Sequence, residues 1–230
     1  MKSNNLKIVF FSAMMIVVTQ PAFSQYKSVI LGAKIAPDLG WLKTDQDGYN
    51  NEGIVAGFGW GLVAEFYFAE NYAFVSGFNF NFQNGKLTYP EVRSGAPGEL
   101  IRNYRLKYIE IPALIKMKTN EISGFRFFGQ IGLGGSIRLS SKGKDVFIEP
   151  GQISQTTDFR SVDSQTRLFK ASMIVGAGVE YPFDNSLAFV AGINFNNGFS
   201  NALKGDNSVY PAREHKGVPN FIELSLAVMF

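Results

Sequence analysis

The chain has 230 residues and carries 22 Lys+Arg against 19 Asp+Glu, a net charge of +3. Lys2 and Lys7 lie in the first segment, and setting them aside leaves 20 basic residues against 19 acidic ones, a balance that gives a nucleic-acid partner no footing. The absence of cysteine excludes disulfides, thiolate metal sites and a cysteine-linked lipid anchor.

Residues 1–24 read as a signal peptide. Lys2 and Lys7 form the basic start, 8–18 the apolar stretch, Pro21 the break, and Ala22-Phe23-Ser24 a small-residue cleavage site. The apolar stretch is too short for a membrane anchor. Residues 25–230 form one further domain. The chain is rich in aromatics and glycine (22 Phe, 9 Tyr, 24 Gly), yet after residue 24 its apolar runs never reach the roughly 18 residues of a spanning helix. The mean hydropathy of the chain is only +0.02. A membrane-spanning barrel predicts this combination, because only every second residue of each strand meets lipid.

Period-2 alternation marks eight strands, over 28–36, 58–68, 72–83, 102–118, 125–139, 168–181, 187–196 and 220–230. The connections after the second, fourth and sixth (69–71, 119–124 and 182–186) are short. Those after the first, third, fifth and seventh (37–57, 84–101, 140–167 and 197–219) are long and polar. An even strand count with alternating tight and extended connections predicts an all-β, eight-stranded antiparallel up-and-down transmembrane β-barrel, with short periplasmic turns and long extracellular loops.

A soluble barrel alternates too, with its apolar face inside. Here the apolar parity is bulky and continuous, as in Ile109, Ile111, Ala113, Ile115 and Met117, or Leu187, Phe189, Ala191, Ile193 and Phe195. Eight such faces overfill a narrow interior. The other parity mixes glycines with charges, as in Lys170, Ser172, Gly176, Gly178 and Glu180, and the glycines are expected to make room for the long side chains. Aromatics gather near strand ends as in interfacial girdles: Phe66, Phe68, Tyr72, Tyr181 and Phe230 at one edge, Trp41, Phe82, Tyr89 and Tyr104 at the other.

With this parity the lumen collects Lys34, Glu65, Glu110, Lys116, Arg126, Arg138, Lys170, Glu180 and Glu223. Opposite charges there are expected to pair, because an unpaired buried charge is costly. Glu110 and Glu223 in particular should lie within reach of basic side chains. A structural charge network that fills the barrel and a proton or ion pathway are both open; eight strands favour the first, since pores need wider barrels. No catalytic, cofactor-binding or metal-binding constellation appears. His215 stands alone beside Glu214 and Lys216 and reads as a solvated loop residue. Asp45-Gln-Asp47-Gly48 lacks the remaining ligands of a calcium loop.

Tyr108-Ile-Glu-Ile-Pro-Ala-Leu-Ile-Lys116 resembles a segment of the outer-membrane β-barrel family that includes PorT, common in Bacteroidetes. Gly176-Ala-Gly178-Val-Glu180 and Ile30-Leu-Gly-Ala-Lys34 are similar to the same family. The resemblance implies an eight-stranded barrel in the outer membrane, with Glu110 and Pro112 as structural motif residues. It also raises an accessory role in protein secretion, beside a structural or surface-interaction role through the loops. The partners expected are outer-membrane lipid, the barrel assembly machinery, with Phe230 as part of the signal it reads, and envelope or secretion proteins at the loops.

Overall fold

The computed structural model describes residues 29–150, 152–184, 186–211 and 213–230. The expected signal peptide lies outside them. Eleven strands are described: β1 (Val29–Lys43), β2 (Asn50–Asn51), β3 (Val55–Ala69), β4 (Tyr72–Arg93), β5 (Ala96–Lys118), β6 (Arg126–Glu149), β7 (Gln152–Thr156), β8 (Arg160–Ser161), β9 (Phe169–Pro182), β10 (Ala188–Gly198) and β11 (Val218–Met229). One 3-10 turn, η1, is found among the described residues, over Asp163–Gln165.

Eight of the strands form a ring in the order β1-β3-β4-β5-β6-β9-β10-β11. Every neighbour is antiparallel, and the ring closes where β1 pairs with β11, from Gly32 opposite Met229 to Lys43 opposite Val218. The small strands decorate the outside of the order: β2 pairs with β4, and β7 and β8 pair with β6. Closure leaves no ladder edge unpaired around the ring, which is what an apolar solvent demands of a sheet.

The eight expected strands correspond to the eight ring strands, and the outward parity is the expected one. Leu62, Leu133 and Ile193, each about 60 % exposed, belong to a broad outward apolar band. Glu65, Glu110, Lys116, Lys170, Glu180 and Glu223 are buried on the inward parity.

The connections depart from expectation. The stretch 84–101 is not a long loop. Strand β4 runs on to Arg93 and β5 begins at Ala96, joined by a two-residue turn at Ser94 and Gly95. Both turn residues have positive φ (51° and 84°), the geometry of a tight hairpin. Strand β6 likewise continues to Glu149, so much of 140–167 is ladder. Above Phe82 and Ile109 the hydrophobic pattern changes parity within single strands. Below that level Phe74, Phe78 and Phe80 face outward on β4; above it Leu87 and Tyr89 face inward. On β5, Leu100, Tyr104, Leu106 and Tyr108 face inward before Ile111 and Ile115 turn outward. Along β4 and β5 the sheet therefore switches from an apolar exterior to an apolar interior.

Candidate functional site

The interior is built in three tiers along the barrel axis. At the short-turn end, Lys116 Nζ meets Glu65 Oε1 at 2.5 Å and Lys118 Nζ meets Glu180 Oε2 at 2.6 Å. Lys118 also lies 3.2 Å from Glu65, and Tyr67 Oη donates to Glu65 Oε2 at 2.5 Å. Lys116 sits 4.2 Å from the centre of the Phe128 ring, and Lys118 4.8 Å from that of Tyr67. Two carboxylates and two ammoniums thus neutralise one another inside the wall. Arg126 stands at the mouth, its side chain 41 % exposed, between Glu121 (3.6 Å) and Glu180 (3.7 Å).

In the middle tier Lys34 Nζ meets Glu223 Oε1 at 2.9 Å. Asn194 Nδ2 donates to the same oxygen at 2.8 Å, and Gln130 donates to Asn194 at 2.7 Å. Glu110 departs from expectation: its carboxylate is in no ion pair among the described residues and instead accepts from Asn196 Nδ2 (3.0 Å) and Ser136 Oγ (3.4 Å). Lys170 has a carboxamide partner, Gln83 Oε1 at 3.0 Å, and lies near the faces of Tyr108 and Phe221. Lys34, Glu65, Glu110, Lys116, Gln130 and Glu223 border a cavity of about 60 Å³. That is space for roughly two waters.

The glycines of the inward parity do more than admit charges. Gly134 lies where a Cβ would meet Glu110 Oε2 at 3.1 Å, as expected. Gly178 and Gly192 instead accommodate the Phe128 ring, whose Cζ would be 2.6 and 3.0 Å from an added Cβ.

The third tier lies beyond the apolar band, within the projecting parts of β4, β5 and β6. Leu42, Leu87, Leu100, Leu106, Phe147 and Leu203 pack into one fully buried cluster with Tyr49, Tyr89 and Tyr104. Tyr89 and Tyr104, expected in the aromatic girdle, are thus inside; the water above the band reverses which face must be apolar. Next to this cluster Asp145, fully buried, accepts from Arg102, Arg93 and Arg160. Burial alone would raise its carboxyl, but the hydrogen bonds and charges of Arg102 and Arg93 outweigh it and hold the group at about 2. Arg138, placed in the lumen network by sequence, instead serves this upper tier: its guanidinium donates to the carbonyl oxygens of Asp163 and Thr166, both at 2.7 Å, and to the Thr166 hydroxyl. It thereby anchors η1 over β6.

His215 is not a solvated loop residue. Its ring lies 5.0 Å from the Tyr89 ring and 5.9 Å from Tyr49, and its Nδ1 is 2.8 Å from Tyr49 Oη. Asn207 Nδ2 donates to the same hydroxyl at 2.8 Å, which leaves the phenol proton for the histidine. Burial, then the positive charge of Arg102, lowers the His215 pKa.

The nine residues expected to form one network therefore divide. Glu65, Lys116, Glu180 and Arg126 gather at the short-turn end, Lys34 and Glu223 pair in the middle, Glu110 and Lys170 are held by neutral partners, and Arg138 sits above. Lys118, Tyr67, Arg102 and Asp145 were missed, and so was Asp38, buried on β1 opposite Glu223. Lys118 and Tyr67 share the parity of Lys116 and Glu65 and were legible. Asp38 falls on the parity of Lys34 but inside a stretch read as loop.

A model of the outer membrane protein beta-barrel domain family matches residues 23–204. The chain belongs to that family. As an outer-membrane barrel, it presents its outward apolar band to lipid and encloses the polar tiers in the membrane. Among solved structures it is similar to Neisserial surface protein A (14 % identity, 90 % of this chain and 98 % of that one, TM-score 0.46). It is also similar to the attachment invasion locus protein Ail of Yersinia pestis (15 %, 88 % and 97 %, TM-score 0.38). A third is the N-terminal β-barrel domain of Pseudomonas aeruginosa OprF (10 %, 86 % and 97 %, TM-score 0.37). No curated protein matches the chain.

Proposed function

We propose that this outer-membrane barrel is a closed, non-conducting scaffold that holds its projecting hairpins and loops at the cell surface for contact with other molecules. The observation that carries this reading is the filled interior. Ion pairs occupy the lumen within the apolar band, and the tyrosine–leucine cluster fills it above. The projecting ladders give the outer end a fixed shape, which suits recognition better than a floppy loop would. Planar-bilayer recording of the purified barrel tests the first half: steady single-channel conductance would overturn it. Crosslinking in intact envelopes, compared between the full chain and one lacking the hairpin tip 91–98, tests the second.

The likeness of the stretch from Tyr108 to Lys116 to the PorT-type family favours a second reading, an accessory role in protein secretion. Co-purification with secretion components would support it. Both readings take residues 1–24 as an export signal removed on the way to the membrane and assign no catalytic role, since the one imidazole is engaged by Tyr49.

A further inference from the structure

Directly above the lipid-facing band, β5 and β6 carry four cations on their outer face: Arg105, Lys107, Lys142 and Lys144. The face is set by a β-bulge. Tyr108 is opposite Arg138 and Lys107 is opposite Ser140, so Leu139 is the extra residue. Below the bulge Ile131, Leu133 and Ile137 face outward; above it Ser141, Gly143 and Asp145 turn inward and Lys142 and Lys144 outward. Arg105 then lies opposite Lys142 in the ladder, and Asn103 opposite Lys144.

Like charges directly opposite one another weaken an antiparallel pair. Four acids of this end are committed elsewhere, Asp145 to Arg93 and Arg102, Asp163 to Arg138, Glu52 to Lys86 and Asp45 to Lys216, while Glu99, Glu149 and Asp158 are in no ion pair among the described residues. None of the four cations is in an ion pair among the described residues. Two of them rest on aromatic rings: Arg105 over Phe159 at 3.8 Å and Lys107 over Phe82 at 5.2 Å. The turns of the opposite rim carry exposed Glu70, Glu121 and Asp184, so the concentration of positive charge belongs to one end only.

We propose that Arg105, Lys107, Lys142 and Lys144 bind the phosphate groups of lipids with a net negative headgroup in the membrane leaflet at the long-loop end. Lys107 follows Ile109 on the outward parity of β5 and sits beside Phe82, at the height where acyl chains give way to headgroups. Arg105 and Lys142 stand one outward position higher, about 7 Å along the strands. A soluble acidic protein would need no such continuity with the apolar band; a lipid, with its chain below and its phosphate above, fits both parts. The inference rests on the membrane location and not on a surface-contact role.

The test is retention of lipid by the full-length barrel, refolded in a neutral detergent and analysed by native mass spectrometry. Phosphatidylglycerol should be retained in preference to phosphatidylcholine. The variant R105Q/K107Q/K142Q/K144Q should lose roughly fivefold in apparent affinity per cation removed. Equal retention of the two lipids, or unchanged retention by the variant, would overturn the proposal. So would displacement of the lipid by inorganic phosphate at matching concentration, which would indicate a site for free anions. The unmodified chain supplies a second measurement that needs no variant. Its preference for phosphatidylglycerol should fall as NaCl rises from about 50 to about 500 mM, where screening shortens from beyond 10 Å to a few ångströms. A preference flat in salt would count against the proposal.

Discussion

Arg102 and Asp145, directly opposite one another on β5 and β6, are joined by two parallel hydrogen bonds, Nε to Oδ1 at 2.5 Å and Nη2 to Oδ2 at 2.8 Å. Both side chains are buried, in a part of the sheet that stands clear of the apolar band. Arg102 Nη1 continues the chain of contacts to Gln165 in η1 at 2.5 Å. The pair therefore fastens η1 to the projecting parts of β5 and β6. Substituting Asp145→Asn leaves Arg102, Arg93 and Arg160 converging without an anion. Removing one partner of a buried pair costs about 3–5 kcal/mol. We expect amides of the projecting parts of β4, β5 and β6 to lose protection in hydrogen exchange, while those of the spanning parts keep theirs.

Lys34 and Glu223 offer a sharper comparison within the membrane. Glu223→Ala strands a buried ammonium, and a loss of about 3–5 kcal/mol is expected in urea unfolding from lipid vesicles. The double substitution K34M/E223L removes both charges and should recover most of that loss, because an apolar pair of similar size escapes the desolvation cost. A double variant as unstable as the single one would mean that Asn194 and Gln130 depend on the charge as much as Lys34 does.

Acid should loosen the upper tier through His215. Its pKa in the folded chain lies below the ordinary value of 6.5, so the unfolded segment takes up a proton more readily than the folded one. The contribution of this residue to stability is complete above pH 6.5 and drains as pH falls through the folded value. A proton on Nδ1 also removes the acceptor for Tyr49 Oη. Protease cleavage within 199–217 should rise on acidification, and H215Q should flatten that dependence.

Phe230 combines two features that can be separated. Its backbone exchanges hydrogen bonds with Leu31, at 2.7 Å and 3.2 Å, while its ring is 57 % exposed on the lipid face. Deleting the residue removes both features, and barrel yield in cells, read as the heat-modifiable gel band, should fall more than after any change to the outer connections. F230A keeps the backbone bonds. It should refold normally in vesicles yet assemble poorly in cells if the ring is part of the assembly signal. Equal cellular yields for F230A and the unaltered chain would remove the ring from the assembly signal.

The lipid-facing stretches were legible because hydrocarbon imposes one rule over each of them: Phe74, Phe78 and Phe80 out, Asn79 and Asn81 in. Legibility failed where that rule reverses. From Leu87 and Tyr89 on β4, and back from Tyr108 to Leu100 on β5, the apolar residues occupy the inward parity because water is outside. The reversal breaks the alternation, and a broken alternation interspersed with Gly85, Pro90 and Gly95 looks like loop. Glu110 was placed correctly inside the wall, but its partners, Asn196 and Ser136, lie on β10 and β6, and nothing in the sequence announces which strands bring carboxamides to it. Arg138 was misassigned because the polypeptide that caps it, η1, has no periodic signature.

The seam between β1 and β11 has a consequence for timing. Gly32 on β1 and Met229 on β11 are partners far apart in the sequence, so the bonds that close the ring join its first and last strands. Until β11 pairs with β1, every partial sheet presents two bare edges, which hydrocarbon does not tolerate and which other strands readily extend. Insertion strand by strand is therefore disfavoured. Crossing the bilayer and closing the ring are expected to be one concerted event.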